Sequence, residues 1–303
     1  PLEARVAALR ALDLGGQVVI MDGFEPEQAL ALIERYRVTH SQWVPTMFSR
    51  MLQLPPELRQ RHDLSSHRVA IHAAAPCPPP LKQAMLDWWG DVIYETYASS
   101  ETGMLTVQDP ASARRKPGSA GLPVTGSVIR IVREDGTDCD VNEVGVIYGR
   151  QPAFTEFTYN NNPEARARAG YGDLVTVGDM GYRDEDGYLF VCDRASDMVI
   201  SGGVNIYPAE TEYVLLQLPE VADCAVLGIP DDEYGESLLG LVQPMPGASL
   251  TLDTLHGYLT EHLADYKVPR EIRLVDELPR DDNGKVAKRK LRDQFWDGRD
   301  RRV

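Results

Sequence analysis

The clearest structural signal lies in residues 69–103, which read VAIHAAAPCPPPLKQAMLDWWGDVIYETYASSETG. Val69–Ala75 is typical of a buried strand, and the proline cluster Pro76–Pro80 interrupts it. Leu81–Trp89 then predicts a helix, and Val92–Tyr94 predicts a second strand. Because alternating strands and helices favour a parallel sheet, we expect the loops at the strand ends to form a binding edge.

The segments on either side follow two different patterns. Upstream, the apolar run in Gln17–Met21 and the helical spacing in Glu27–Tyr36 indicate another αβ unit. From about Gly118 the sequence changes to short apolar runs separated by Gly, Asp and Asn, with hairpin turns predicted at Asp135-Gly136 and Asp186-Gly187. These apolar runs are Ser127–Val132, Gly145–Tyr148 and Tyr188–Cys192. The middle of the chain should therefore be mostly antiparallel.

The last third of the chain predicts a small α+β domain. Helical patterns occur at Pro208–Gln217 and Thr254–Leu263, and apolar strand patterns at Ala222–Gly228 and Gly240–Pro244. The predicted fold class is therefore α/β plus α+β. We expect a large domain at 1–194, divided into an α/β part at 1–117 and a β-rich part at 118–194, and a small domain at 195–303.

The composition limits the class of protein. The chain has 303 residues, of which 43% are hydrophobic and 25% charged, so it can bury a core in two domains. Its 31 Lys and Arg against 46 Asp and Glu give a net charge of -15, which argues against a nucleic-acid or anionic-membrane surface. The four cysteines are scattered without a C-x-x-C motif, and no apolar run has the length of a membrane span. A cytoplasmic, reduced protein is the simplest interpretation.

Three polar sites lie far apart in the sequence. They are Tyr97–Gly103, the middle group of Gly178-Asp179, Asp193-Arg194 and Ser201–Gly203, and Asn283-Gly284-Lys285. Hydroxyls, carboxylates and a lysine can supply hydrogen-bond donors, metal ligands and positive charge, so together they suit the binding of an anionic ligand.

In this order the sites resemble the AMP-forming acyl- and aryl-CoA synthetases of the adenylate-forming enzyme superfamily. The resemblance runs from about Gly15 to the end of the chain. It implies part of a large adenylation domain followed by a small, mobile C-terminal lid domain. It also implies an acid–thiol ligase that uses ATP, Mg²⁺ and CoA, and a carboxylic acid substrate, most simply a fatty acid.

The resemblance assigns roles to five nucleotide-site residues. Tyr97 matches the aromatic residue that packs on adenine, Ser100 the hydroxyl that contacts phosphate, and Glu101 the catalytic carboxylate that holds the metal. Asp179 and Arg194 match the residues that bind the ribose hydroxyls, a role that suits a carboxylate because it accepts two hydrogen bonds. The alternatives are a core tyrosine, a helix-capping glutamate and a surface Asp–Arg pair.

Other matches concern the acyl group, the hinge and the thiol. His72 and Ala73 match a small-residue stretch at the acyl pocket, and the adjoining Ala74 matches a position against the nucleotide. Ser196 matches the hinge of the lid domain. The Gly202-Gly203 pair matches the loop beside the CoA arm, where glycines allow close approach of the backbone. A plain turn before a helix is the alternative for this pair, and a structural histidine is the alternative for His72.

The C-terminal motif matches the family's lysine loop. Lys285 would be catalytic, because its point charge would lie between the attacking carboxylate and the α-phosphate. The neighbouring Lys288, Arg289 and Lys290 are interpreted as a solvated helix face.

One part of the family pattern has no counterpart in the printed sequence. The glycine- and hydroxyl-rich phosphate loop, which precedes the Tyr97 motif in the family, is not found. We therefore expect these residues to be the C-terminal portion of a synthetase, with the missing wall supplied by an N-terminal segment or a second chain. Two alternatives stay open: adenylation with a carrier protein as acceptor, and a catalytically silent binding or regulatory remnant.

Overall fold

The structure is a computed structural model that describes residues 2–280 and 286–297. The chain divides into two compact units. The first unit contains the residues up to Val177 and Gly181–Val191, and the second contains Gly178–Met180 and the residues from Cys192 onward. Among the described helices, none has both the length and the apolar character needed to cross a bilayer.

The first unit begins with a mixed sheet flanked by helices. Its strands are β1 (His40–Trp43), β2 (Val69–His72), β3 (Ile93–Ser99), β4 (Gly103–Gln108) and β5 (Leu122–Pro123). Its helices are α1 (Leu2–Asp13), α2 (Pro26–Tyr36), α3 (Pro45–Leu52), α4 (Pro56–Arg59), α5 (Pro79–Trp89) and α6 (Pro110–Arg115). The strands lie in the order β1-β2-β3-β4-β5; β1 to β3 are parallel, and β4 and β5 are antiparallel additions.

Local sequence explains where these helices begin. Proline opens each helix from α2 to α6, at a position whose N–H would have no partner within the helix. In α2 the Glu25 side chain caps the helix by accepting a hydrogen bond from the Gln28 N–H at 2.7 Å. The helix predicted at Glu27–Tyr36 is confirmed, and the one predicted at Leu81–Trp89 begins two residues earlier, at Pro79. The largest fully buried side chains here are Leu30, Phe48, Met51, Met85, Leu86 and Ile93.

Two strand predictions need correction. The apolar run Gln17–Met21 forms no strand, and Ile20 in that run is 80% exposed. An apolar run indicates a strand only where neighbouring backbone can accept and donate its hydrogen bonds. The strand predicted at Val69–Ala75 ends at His72, because Ala74 has the left-handed φ of 73° and turns the chain away from extended geometry.

The β-rich part forms a second sheet, as predicted. It contains β6 (Val128–Val132), β7 (Gly145–Arg150), β8 (Gly170–Tyr171), β9 (Leu174–Val175), β10 (Asp179–Arg183) and β11 (Leu189–Arg194), with the short helix α7 (Pro163–Arg168). The order is β11-β10-β7-β9-β8, and β6 pairs with β7. Gly136 and Gly187 each have a φ of 83°, as the predicted turns require. One core cluster contains Ile129, Ile131, Ile147 and Leu189 of this part together with Leu105 of β4.

The second unit has the predicted α+β composition. Its strands are β12 (Val199–Ser201), β13 (Val204–Ile206), β14 (Val221–Asp231), β15 (Gly235–Pro244) and β16 (Glu271–Leu274). Its helices are α8 (Pro208–Leu215), α9 (Leu252–His262) and α10 (Lys288–Asp293). The strands lie in the order β13-β12-β15-β14, and β16 pairs in parallel with β15. Val226, Leu215, Leu255 and Leu259 are fully buried in its core.

Candidate active site

The turn between β3 and β4 holds Ser100 and Glu101. The Ser99 hydroxyl accepts hydrogen bonds from the backbone N–H of Glu101 at 3.2 Å and of Thr102 at 3.0 Å. This turn leaves Ser100 exposed and Glu101 half-buried. Because Glu101 lies between two strands, the helix-capping alternative for it is wrong.

Tyr97 lies in β3 at an irregularity of the pairing with β4. The register shifts between Tyr97 and Ala98, which indicates a bulge that changes the direction of side chains locally. Tyr97 is half-buried and packs against the core of the second sheet, which includes Leu105 and Leu189. The ring is therefore partly a core residue, and its contact with adenine stays a prediction.

Tyr159 contacts Glu101 and has no counterpart in the sequence-based prediction. Its hydroxyl donates a hydrogen bond to Glu101 Oε1 at 3.0 Å across 58 positions of sequence. Burial raises the pKa of Tyr159, and the hydrogen bond to Glu101 acts in the same direction. Glu101 also lines a cleft together with Arg150, Phe157 and Arg166. Tyr159 lies in a polar stretch without periodicity, so no local signal points to it.

His72 is fully buried at the end of β2. Its ring lies edge-on to Phe48, with centroids 5.6 Å apart, and its Nε2 is 3.7 Å from Glu95 Oε2. Neither ring nitrogen has a hydrogen-bond partner among the described residues. Burial and the nearby Lys82 ammonium hold the pKa of His72 well below its usual value, so the ring is neutral. Its role at an acyl pocket stays a prediction.

Ala73 and Ala74 follow His72 at the carboxyl end of β2. The Ala73 N–H donates to the Trp43 carbonyl at 3.2 Å, which fixes the chain just beyond the strand. Ala74 then adopts its φ of 73°, a conformation that usually requires glycine. A non-glycine residue held there marks a locally constrained loop. β2 and β3 are parallel neighbours, so this loop and the Glu101 turn follow the same ends of adjacent strands.

Asp179 and Arg194 lie together in the second unit. Arg194 Nε is 3.5 Å from Asp179 Oδ1, and the Ala195 N–H donates to the Gly178 carbonyl at 2.7 Å. The Asp179 side chain is 13% exposed, whereas that of Arg194 is 60% exposed. The structure thus brings together two predicted ribose-site residues that are separated in sequence.

The predicted hinge residue Ser196 is fastened to the C-terminal helix α10. Arg292 donates from Nη1 to the Ser196 carbonyl at 2.5 Å and to Asp197 Oδ1 at 3.0 Å. The preceding Asp193 accepts the Ala209 N–H at 2.9 Å, and burial raises the pKa of Asp193. The segment is therefore held on both sides of Ser196.

Gly202 and Gly203 form the two-residue turn between β12 and β13. Their φ angles are 57° and 84°, the positive values that a tight hairpin turn requires at both central positions. A Cβ at Gly202 would lie 3.0 Å from the ring of Tyr234, whereas a Cβ at Gly203 would meet nothing. Both glycines are exposed, so the turn leaves backbone accessible.

Only part of the C-terminal lysine motif lies among the described residues. Lys285 lies outside the described residues, whereas Lys288 begins α10. Lys288 Nζ is 2.7 Å from Glu212 Oε1, and its side chain is only 21% exposed. The prediction of a solvated face is therefore wrong for Lys288, although Arg289 is 87% exposed. A sequence pattern could not reveal the partner on α8.

Two family models match this chain. Residues 2–157 match the AMP-binding enzyme family, and residues 210–285 match the AMP-binding enzyme C-terminal domain. This chain belongs to the AMP-binding enzyme family. The predicted resemblance and fold class are thus confirmed.

Individual relatives of this AMP-binding family member are longer. The chain is 36% identical over 286 residues to a 2-succinylbenzoate–CoA ligase of Geobacillus kaustophilus, covering 94% of the chain and 57% of that protein. It is 37% identical over 292 residues to a feruloyl-CoA synthase of Amycolatopsis, covering 96% of the chain and 58% of that protein. It is 32% identical over 300 residues to the fatty acid–[acyl-carrier-protein] ligase ScoC of Streptomyces coeruleorubidus, covering 98% of the chain and 57% of that protein. The chain thus spans little more than half of these relatives.

A solved structure shows the same fold. The crystal structure of ATP-bound MatB from Rhodopseudomonas palustris superposes with a TM-score of 0.85 at 30% identity. The match covers 96% of this chain and 57% of that one.

The residues around Glu101 fit a magnesium ion that is held mainly by substrate. Among the described residues no group of three or more His, Cys, Asp or Glu side chains could hold a metal unaided. Mg²⁺ commonly takes one or two carboxylates and completes its coordination with water and substrate phosphates. Glu101, half-buried and oriented by Tyr159, is a suitable single carboxylate for such a site.

Proposed function

We propose that this AMP-binding chain carries the nucleotide- and thiol-handling residues of an AMP-forming acid–thiol ligase. One observation supports this most directly: Glu101 is held by the Ser99 turn and by Tyr159, just beyond the carboxyl end of β3, which is a parallel neighbour of β2. Ligands of sheets with parallel strands bind at the carboxyl ends of the strands. This position supports the proposal that the carboxylate acts beside an activated phosphate.

The proposed reaction has two steps. A carboxylate oxygen attacks the α-phosphorus of ATP, the bond to pyrophosphate breaks, and acyl-AMP forms. The CoA thiol, losing its proton, then attacks the acyl carbon, and AMP leaves. Bound Mg²⁺ would offset negative charge on the phosphates.

Roles for this chain's residues follow from the resemblance. Tyr97 would pack on adenine, Ser100 would donate to phosphate, and Asp179 with Arg194 would bind the ribose. Lys285 would stabilise the charge built up in the first step. His72, Ala73 and Ala74 would bound the acyl and nucleotide pockets, Ser196 would act as hinge, and the Gly202-Gly203 turn would line the path of the thiol.

We propose a fatty acid or another apolar carboxylic acid as substrate and the cytoplasm as the site of action. The four cysteines are unpaired, which suits a reducing compartment. Two of the relatives are named for aryl acids, succinylbenzoate and ferulate, and one for a fatty acid, so both chemical classes belong in the substrate screen.

The test is acid-dependent exchange of labelled pyrophosphate into ATP, followed by thioester formation with CoA. The natural full-length protein would be screened against matched panels of fatty and aryl acids. Glu101→Gln should lower exchange by about 100-fold, because it removes a charge that acts on the reacting phosphates. Glu164→Gln, at an 87% exposed position, is the matched control. Unchanged exchange in Glu101→Gln would count against the proposal.

Two other outcomes have distinct signatures. One relative, ScoC, is named for an acyl-carrier-protein acceptor, and a mass increase of an incubated carrier domain would reveal such an acceptor here. Nucleotide binding without any exchange would instead indicate a silent binding module. Lys285→Ala separates the half-reactions: exchange should be lost, while thioester formation from supplied acyl-AMP should remain.

A further inference from the structure

The segment that follows β7, residues 151–166, contacts Glu101, the candidate metal ligand. Glu156 lies between two guanidinium groups, 2.6 Å from Arg150 Nη2 and 3.6 Å from Arg166 Nη2. Arg166 also donates from Nε to the Phe157 carbonyl at 3.3 Å, and its guanidinium lies 4.6 Å from the centre of the Phe157 ring. The rings of Phe157 and Tyr159 pack edge to face at 5.3 Å. Tyr159 is thus held by a chain of side-chain contacts.

The same segment is tied to the turn that contains Glu101. The Gln151 N–H donates to the Thr102 carbonyl at 2.8 Å, and the Gln151 side chain donates to the Thr125 carbonyl at 3.2 Å. Any Cβ at Gly103 would collide with the Phe154 ring at 2.7 Å, so the Phe154 side chain lies directly against the Gly103 backbone. The Tyr159 hydroxyl therefore approaches Glu101 from a fixed direction rather than from a free loop.

We propose that Tyr159 is a positioning residue that fixes the Glu101 carboxylate for its metal, an inference that rests on the proposed function. A carboxylate can rotate about its last torsion, and a hydrogen bond to Oε1 selects one orientation. Partners of this kind typically change metal affinity 10–100-fold when they are removed. The hydroxyl would act through Glu101 and would not contact substrate.

The test measures binding as well as turnover. The affinity for ATP would be determined by calorimetry, once with Mg²⁺ and once with EDTA, in the natural full-length protein. Tyr159→Phe removes only the hydroxyl and should reduce the gain in affinity that Mg²⁺ provides by about 10-fold, while the affinity in EDTA stays unchanged. A merely structural role would change both affinities. Tyr171→Phe is the control, because its hydroxyl donates to the Gly136 carbonyl instead.

A double-mutant cycle shows whether Tyr159 acts through Glu101. In a Glu101→Gln background, Tyr159→Phe should have no further effect on the gain in ATP affinity that Mg²⁺ provides. An equal effect in both backgrounds, or none in the wild type, would overturn the inference. If Glu101→Gln alone leaves the gain intact, the proposed role of Glu101 fails instead. Should Tyr159→Phe not fold, Glu156→Gln can replace it. This variant weakens the contacts of Glu156 with Arg150 and Arg166 but keeps the Tyr159 hydroxyl, and it should give a smaller loss of Mg²⁺-dependent ATP affinity.

Discussion

Two lysine–glutamate clusters, one buried and one partly exposed, lie in different units and have different partners. In the first unit Lys82 pairs with Glu95 and also donates to Gln108 Oε1 at 2.6 Å. These three residues lie within one stretch of α5, β3 and β4. In the second unit Lys288 pairs with Glu212 across 76 positions, joining α10 to α8.

The difference concerns what each cluster holds in place. The first joins α5 to β3 and β4, the two strands on either side of the Glu101 turn, and Gln108 Nε2 also donates to Ser119 Oγ at 2.7 Å. The second continues along α10 to Arg292, which fastens the Ser196 segment. We expect the first cluster to stabilise the sheet that carries the Glu101 turn, and the second to restrain the Ser196 segment.

The largest expected effect comes from breaking the first cluster. Lys82→Met leaves the Glu95 carboxylate buried without its cation, since the two side chains are only 4% and 12% exposed. Removing one partner of a buried pair costs about 3–5 kcal/mol. Urea unfolding followed by tryptophan fluorescence would measure this, because Trp43, Trp88 and Trp89 all lie in the first unit. The double variant Lys82→Met, Glu95→Gln should recover much of the loss; no recovery would argue against an ion-pair origin.

Breaking the second cluster should cost less. Lys288→Met removes the charge beside Glu212, but the lysine side chain is 21% exposed and water can reach it. Burial opposes charge on Lys288, but Glu212 and Asp193 outweigh burial and raise its pKa. We expect a loss of about 2 kcal/mol in the free energy of unfolding. Urea unfolding followed by the fluorescence of Trp296, which lies in the second unit, would measure this change. A loss of unfolding free energy equal to that of Lys82→Met would contradict the difference between the clusters.

The two units should also differ in their response to acid. Burial lowers the pKa of His67 to about 4, and that of His72 lies well below its usual value. A histidine in the unfolded chain binds a proton near pH 6.5, whereas the buried histidines of the folded chain resist protonation. The free energy of unfolding is therefore fully retained above pH 6.5 and falls as the pH drops toward 4. For His67 the loss at pH 5 is about 2 kcal/mol.

The unfolding midpoint between pH 7.5 and 5.0 checks this prediction. The His256 and His262 side chains of the second unit are exposed, so the signal of that unit should change less. His67→Gln should weaken the pH dependence of the first unit, with the remainder due to His72, and His256→Gln should leave it unchanged. An unchanged pH dependence in His67→Gln would contradict the role of His67.

The smallest expected effect is confined to the backbone around Ser196. Arg292→Met removes both contacts to the Ser196 segment and should speed amide hydrogen exchange in peptides covering 194–199 by about 10-fold. Arg289→Met, at an exposed position of the same helix, is the control. Equal exchange in the two variants would show that α10 does not restrain the segment.

Sequence patterns predicted the fold where local chemistry and periodicity agreed. The helix at Glu27–Tyr36 and the turn glycines 136 and 187 needed only apolar spacing, a proline start and positive φ. Prediction failed at Gln17–Met21, because strand formation depends on a neighbouring strand rather than on the run itself. The short strand β1 was not predicted either, since His40–Trp43 is polar in three of its four residues.

The candidate site could be predicted only as separate motifs. The order of Glu101, Asp179 and Lys285 in the chain was enough to predict the family, because a motif requires particular residue types at particular spacings. Tyr159, Arg292 and the partner of Lys288 required the fold. Contacts across 58 to 96 positions depend on how elements pack, and packing brings together residues that share no local pattern.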